Sequence, residues 1–493
     1  MSDTKTIVKG SFWVYTTMIL SLFIGFITTV VLSRVLDRDN WGIFATVISV
    51  SYLLSVFVDL GFSYTLTHYT STLSTRGQYD KLRRYLVKIS KYRFLLILIV
   101  ASIIFASSDF LTSFFHIVDG AKYFQVSSLF FIFSNLFNTF DYILNGLKKF
   151  KANSILYFLN YFLKLVFALI LSYIGFGVIG ALVGYAIAYV FTIALVLYIL
   201  KDLLIPPKHN VSADEETDAG IKELFIFGGM VGVAQLASTV TLWTDSIMIG
   251  TMMGATFVGV YKIAMSMSIT LGGAISSVNK VLFPVLVSIE AKKEESVSDL
   301  NRVLKYGSFF AIPASFGLAI FSTEIISVFF GQQYIDAAPA LFILSYFCFD
   351  SFIIGSLVSY FSAKREIKII GLAAIFCAIA NVILNFVLIP TLGIIGAAIA
   401  SIITRIMNLG ILLFEGRKIN LYVSFDNFQK PLLGAIVMAL VLILLKQFVV
   451  VSNILLLGIF VSIGLLVYVA FEALLGFNIL IFGRKVLNLL LEK

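Results

Sequence analysis

Residues 177–198 read GVIGALVGYAIAYVFTIALVLY, a run of 22 residues without a charge. As an α-helix it would be about 33 Å long, slightly more than the ~30 Å of hydrocarbon in a bilayer. No water is present there to satisfy a lipid-exposed backbone, so a spanning segment is either a helix or a strand of a closed barrel. Barrel strands are about ten residues long and alternate apolar with polar. A continuous apolar run of twice that length predicts a transmembrane helix.

The run is repeated. GIIGAAIASIITRIMNLGILLF (393–414) aligns with it without gaps, 216 residues downstream. Gly177, Ile179, Gly180, Ala181, Ile187 and Leu197 match Gly393, Ile395, Gly396, Ala397, Ile403 and Leu413. Near the start of each half, WGIFATVISV (41–50) loosely matches VGVYKIAMSM (258–267) at an offset of 217. Weak internal symmetry of this kind marks transporters, whose sites lie at the repeat interface. Each repeat holds six expected spans, an even number, so both begin on the same side of the membrane. The repeats are therefore parallel, and two such lobes would enclose a central cavity.

The whole 493-residue chain has this character, with 60% hydrophobic and 13% charged residues and a mean hydropathy of +1.01. It reads as an all-α integral membrane protein. About 14 spans are expected, at roughly 10–35, 42–65, 87–107, 122–146, 153–174, 177–200, 224–250, 257–285, 304–326, 337–362, 367–389, 393–414, 430–447 and 453–475. They group as an N-lobe (1–200, helices 1–6), a C-lobe (224–415, helices 7–12) and a C-terminal pair with a cytoplasmic tail (416–493). Between the lobes lies KDLLIPPKHNVSADEETDAGIKE (201–223), whose prolines and mixed charges read as a cytoplasmic linker. The first apolar run follows Lys5 and Lys9 but is too long for a signal peptide and lacks a cleavage site, so it reads as a retained span.

The net charge of +9 does not indicate a nucleic-acid partner, because the cations are sorted by side. With both termini cytoplasmic and the spans alternating, 28 of the 36 Lys and Arg residues fall on the cytoplasmic side. They include Arg76, Lys81, Arg83, Arg84, Lys88, Lys91, Arg93, Lys148, Lys149 and Lys151. Only Arg34, Arg38, Lys122 and Lys446 fall outside. This is the positive-inside pattern of a multi-pass protein of the plasma or inner membrane.

Catalysis finds no support. His68, His116 and His209 are scattered, Cys348 and Cys377 show no pairing motif, and no glycine-rich phosphate loop precedes a Lys-Ser/Thr. No catalytic residue, metal site or cofactor is expected, and the outer loops are too short to house an extracytoplasmic enzyme.

LSRVLDRDNWGIF (32–44) and VDLGFS (58–63) resemble the opening of the polysaccharide transporter family, within the multidrug/oligosaccharidyl-lipid/polysaccharide exporter superfamily that includes the Wzx-type O-antigen flippases. The second half agrees through WTDSIMIG (243–250), VGVYKIA (258–264), NKVLFPVLVSI (279–289), DAAPALFILS (336–345) and NVILNFVLIPTLGIIGAAIAS (381–401). Where that family carries a proline after the Arg34 segment, this chain has Arg38-Asp39-Asn40. The resemblance implies two pseudo-symmetric six-helix lobes in a V around a central cavity, plus two C-terminal helices, working by alternating access. The implied cargo is a polyprenyl-diphosphate-linked oligosaccharide, moved from the cytoplasmic to the outer leaflet by a monomer, alongside a polysaccharide polymerase and glycosyltransferases. A lipid II flippase or an ion-coupled drug antiporter would share the fold. A membrane glycan polymerase is disfavoured by the short outer loops.

Charges inside a bilayer are costly and point to function. Lys164 and Arg405 fall near mid-span in opposite lobes and suit an anionic diphosphate, Arg by bidentate contact and Lys as a point charge. The competing reading is that each pairs with a carboxylate. Lys280 could meet a headgroup first from inside, or snorkel to the surface. Arg34, at the outer end of the first span, is a gate, an interfacial anchor or a substrate contact. Asp245 and Lys262 lie at similar depth on consecutive spans and are expected to pair, with gating or ion coupling open to them. Asp141 and Asp350 are candidate proton or sodium sites. Asn135, Asn138, Asn145, Asn160, Asn381 and Asn385 read as interhelical hydrogen bonds or sugar contacts.

Overall fold

The computed structural model describes the backbone of residues 2–59, 61–204, 219–277 and 296–476, and side chains from residue 16 onward except near those breaks. Among the described residues there is no β-strand. The first long helices are α1 (Ser2–Val35), α2 (Arg38–Leu54), the short α3 (Val56–Asp59), α4 (Phe62–Thr75), α5 (Tyr79–Ala106), α6 (Ser108–Phe114), α7 (Ala121–Gly146), α8 (Phe150–Leu171) and α9 (Gly177–Leu204). Then come α10 (Ala219–Met252), α11 (Ala255–Ser276), α12 (Ser296–Ile320), α13 (Ser322–Ile325), α14 (Ala338–Leu344) and α15 (Phe347–Ala363). The last four are α16 (Ile367–Leu392), α17 (Ile394–Gly416), α18 (Asp426–Phe448) and α19 (Ile454–Leu474).

Every segment expected to span is helical where described. Among the described residues, eleven stretches are long and apolar enough to cross a membrane. One of them, Phe150–Lys201, is α8 and α9 joined through a π-helical turn at Ser172–Phe176. Helix α7 is long enough, at 26 residues, but its Ser, Asn and Asp content keeps it out of that set. Most of the expected 201–223 linker, and the stretch holding Lys280, lie outside the described residues.

The sequence repeat is also a structural one. Gly177 and Gly393 both adopt positive φ, 50° and 61°, where a side chain would be strained. A Cβ on Gly180 would meet the Leu171 backbone, and one on Gly396 the Leu388 backbone. Each repeat thus ends in the same helix–glycine turn–helix unit, held close by a small residue facing the preceding helix.

The chain divides into two compact units. The first comprises Thr16–Lys262 and Lys368–Ala400; the second comprises Met1–Tyr15, Ile263–Ile367 and Ser401–Lys493. These are not the sequence halves, because α10, the start of α11 and α16 pack with α1–α9. In the second unit the C-terminal helices pack on α12: Tyr468 Oη of α19 donates to the Phe309 carbonyl at 2.9 Å. Lys446 of α18 pairs with Glu324 at 2.6 Å.

Within the first unit, α2 and α11 meet through residues that the repeat makes equivalent. Asp37 caps α2 by accepting the Asn40 N–H at 2.9 Å, which sets Asp39 at the helix start. Thr256 Oγ1 donates to Asp39 Oδ1 at 2.6 Å across 217 residues, the repeat offset itself. Gly42 and Gly259, again 217 apart, touch backbone to backbone: a Cβ on Gly259 would lie 2.8 Å from Gly42 Cα, and one on Gly42 would lie 2.6 Å from Thr256 Cα. Trp41 Nε1 donates to the Gly259 carbonyl at 3.0 Å. Gly42→Ala should therefore cost about 1–3 kcal/mol through overpacking and lower the thermal midpoint in detergent. Gly317→Ala, in open space on α12, should leave the midpoint unchanged or raise it. Equal midpoints for the two variants would mean that α2 and α11 do not close so tightly.

Candidate functional site

Two ammonium groups in the first unit, those of the buried Lys164 and the half-buried Lys262, are held by rings. Lys164 of α8 donates from Nζ to Tyr189 Oη of α9 at 2.8 Å. That Nζ lies 4.1, 5.3 and 5.4 Å from the ring centroids of Tyr189, Tyr161 and Tyr185. Lys262 of α11 stands 4.0 Å from the Trp243 centroid. The two sites are joined by aromatic contacts. Tyr52 of α2 stacks on Trp243 at 4.9 Å and meets Phe130 edge-on at 5.5 Å, and Phe130 lies 5.9 Å from Tyr189. A desolvated cation–π contact contributes about 2 kcal/mol, whereas burying an ion costs several kcal/mol. Rings alone do not offset that cost, so the wall favours a counter-anion.

The expected Asp245–Lys262 ion pair is not among the ion pairs of the described residues. Asp245, 0% exposed, instead accepts from Tyr261 Oη at 2.6 Å, Asn385 Nδ2 at 2.7 Å and Asn381 Nδ2 at 3.3 Å. The amides come from α16, a helix that depth arguments within α10 and α11 could not reveal. Both amides therefore turn their N–H groups to the carboxylate, and Asn381 Oδ1 is taken by Asn385 Nδ2 at 3.1 Å, so the arrangement shields an acidic side chain with donors. Asp141 has a similar amide setting, accepting from Asn145 Nδ2 at 3.0 Å and Asn153 Nδ2 at 2.5 Å. Asn160 donates to Thr192 at 3.0 Å. Most of the singled-out amides are therefore interhelical bonds.

The second unit joins two residues that the sequence had assigned different roles. Arg405 Nη1 of α17 donates to Asp350 Oδ2 of α15 at 2.5 Å, with side-chain exposures of 30% and 0%. The guanidinium carbon lies 3.8 Å from the Phe347 centroid, and Asp350 Oδ1 has no partner. Lys164 and Arg405 thus belong to separate compact units, and Arg405 takes the carboxylate-paired alternative. Arg34 is exposed in the last turn of α1.

Arg93, counted with the cytoplasmic cations, is 1% exposed. Because α5 begins at Tyr79, Arg93 lies about 21 Å along it. Its Nη1 is 3.5 Å from Asp59 Oδ1, its Cζ is 5.0 Å from the Tyr142 centroid, and its Nε has no partner. It borders a cavity of about 160 Å³ with Tyr52, Asp59, Asn135, Asn138 and Trp243. Sequence reading missed Arg93 and the aromatic wall. The one available signal was Asp59 within VDLGFS, an acid at the end of an apolar span.

The described residues form a duplicated, all-helical membrane fold with ionic side chains held in its interior. The sequence model of the polysaccharide biosynthesis protein family matches residues 31–339, more than half of the chain, and the chain belongs to that family. It is 24% identical over 424 residues to an uncharacterized membrane protein of Methanocaldococcus jannaschii, covering 82% of each chain. It is 25% identical over 268 residues to the probable low-salt glycan biosynthesis flippase Agl15 of Haloferax volcanii, covering 53% of this chain and 56% of that one. The fold matches the lipid II flippase MurJ in its inward-closed conformation with a TM-score of 0.76 at 20% identity, over 96% of this chain and 99% of that one.

Removing one partner of the buried Arg405–Asp350 pair should cost about 3–5 kcal/mol, and an apolar double replacement much less. Arg405→Met should therefore lower the thermal midpoint far more than Arg405→Met with Asp350→Leu. If the double variant is no better than the single, the pair is not what holds α15 to α17.

Proposed function

We propose that the chain is a flippase that carries a polyprenyl-diphosphate-linked oligosaccharide from the cytoplasmic to the outer leaflet by alternating access. The observation that carries this reading is the aromatic wall bearing Lys164 and Lys262, with no carboxylate within ion-pair distance of either ammonium among the described residues. Such a site favours a diphosphate and disfavours a cationic drug, since buried like charges repel strongly in a low dielectric. The family and the relatives' names support glycan-linked cargo, and the parallel repeat supports two six-helix lobes with both termini cytoplasmic. Asp245 with Asn381, Asn385 and Tyr261 is the proposed coupling-ion site.

On this reading the Asp39–Thr256 and Gly42–Gly259 contacts close one end of the pathway and part in each cycle. Both native cysteines are buried, so an introduced pair can be followed cleanly. Asp39→Cys with Thr256→Cys should crosslink on oxidation and stop transport, and reductant should restore it. Full transport by the crosslinked protein would remove alternating access at this contact.

Mass spectrometry of the lipid pool tests the cargo. Cells lacking the chain should accumulate a polyprenyl-diphosphate glycan facing the cytoplasm. Wild-type protein should clear it, and Lys164→Met at equal expression should not. An unchanged pool in a strain without a redundant transporter would turn the reading toward drug or ion antiport.

A further inference from the structure

We infer that the cavity beside Arg93 is a saccharide subsite that reads one sugar of the cargo next to its diphosphate. This rests on the flippase reading above and adds to it where the glycan is recognised. Its walls carry two chemistries that sugars need. Apolar ring surface comes from Trp243 and Tyr52, which stack on one another at 4.9 Å and both line the cavity. Planar polar groups for vicinal hydroxyls come from Asn138, Asn135 and the Arg93–Asp59 couple.

These groups have hydrogen-bonding capacity to spare. Arg93 is 99% buried, yet its Nε has no partner and its contact with Asp59, at 3.5 Å, is long for a hydrogen bond. A buried guanidinium left so incompletely bonded costs free energy unless a ligand completes it. The half-buried Asn138 makes no side-chain hydrogen bond among the described residues, whereas the buried Asn135 spends its amide N–H groups on Ser55 at 3.1 Å and the Phe131 carbonyl at 2.9 Å. The Asn138 amide is therefore the one with both donor and acceptor open to a ligand in the cavity it lines.

Size and place agree. About 160 Å³ is below the ~300–1,000 Å³ that drug-sized ligands occupy, so the cavity holds one unit of a longer ligand. Trp243 is shared: one neighbour is Lys262, at 4.0 Å, and Trp243 also lines the cavity. A phosphate at Lys262 therefore places the adjoining sugar in the cavity. Asp59 beside Arg93 leaves that end of the ligand site near neutral, which suits a neutral or N-acetylated hexose better than a second phosphate.

The test compares the affinity of purified full-length protein for undecaprenyl diphosphate with its affinity for the same lipid bearing one hexose or N-acetylhexosamine. Titration by native mass spectrometry gives the ratio. Wild-type protein should prefer one sugar-bearing lipid by about tenfold. Asn138→Ala should reduce that ratio at least about threefold, and Trp243→Phe, which keeps a ring against Lys262 and Tyr52, should reduce it too. Equal wild-type affinity for bare and sugar-bearing lipid, or a ratio unmoved by both variants, would overturn the subsite while leaving the flippase reading standing. Binding of none of these lipids by wild-type protein would overturn both.

Discussion

The hydrocarbon layer holds no water, so every polar atom placed there must find its partner within the protein. The backbone meets this requirement by being helical. Small hydroxyls meet it by bonding one turn back, as Thr46 does to the Gly42 carbonyl at 2.9 Å and Ser356 to the Phe352 carbonyl at 2.9 Å. Ionic groups cannot be satisfied so locally, and they draw helices distant in sequence together. Asp245 binds Asn381 and Asn385 across 136 and 140 residues, which ties α10 to α16 within one compact unit.

The interior charges are handled in three ways, each leaving a different residue of charge. Asp245 is wrapped by amides and a phenol and remains a shielded anion. Asp350 and Arg405 cancel one another. Lys164 and Lys262 lie on aromatic faces, which attract a cation without neutralising it. An anion therefore gains most at the lysines, a cation at Asp245, and neither at the Arg405 pair. On the proposed reading, this division would separate a cargo site from a coupling site within one unit.

How much could be read from the sequence follows from the same constraint. Helices such as 177–198 were legible because a run that exceeds the bilayer thickness has one favourable structure, and the match of Gly177 with Gly393 was legible in the repeat, whereas their shared positive φ is seen only in the backbone. Intramembrane charges announced themselves by rarity. Their partners did not: helix rise gives the depth of Asp245 and Lys262 but not the direction in which each points, so equal depth suggested a pair that α16 pre-empts. Arg93 was hidden by its place near a basic helix start, since cations there normally face cytoplasm. The aromatic wall was hidden by composition: with 15% aromatic residues, no single Tyr or Trp stands out until helices α2, α7, α9 and α10 align them.

The choice of lysine at the aromatic wall carries a further consequence. An arginine forms a bidentate fork with phosphate that is strong and directional, good for holding a ligand but slow to let go. A lysine is a point charge on a flexible stem, able to follow a phosphate through a change of helix packing without losing its interaction at once. A carrier must bind its cargo on one side and release it on the other, so its affinity must be sufficient in one state and insufficient in the next. Only interactions that differ between two states can shift the balance between them. On the proposed reading, lysines on rings would meet that condition better than locked ion pairs, because no ion-pair partner has to be displaced when an anionic cargo binds or restored when it leaves.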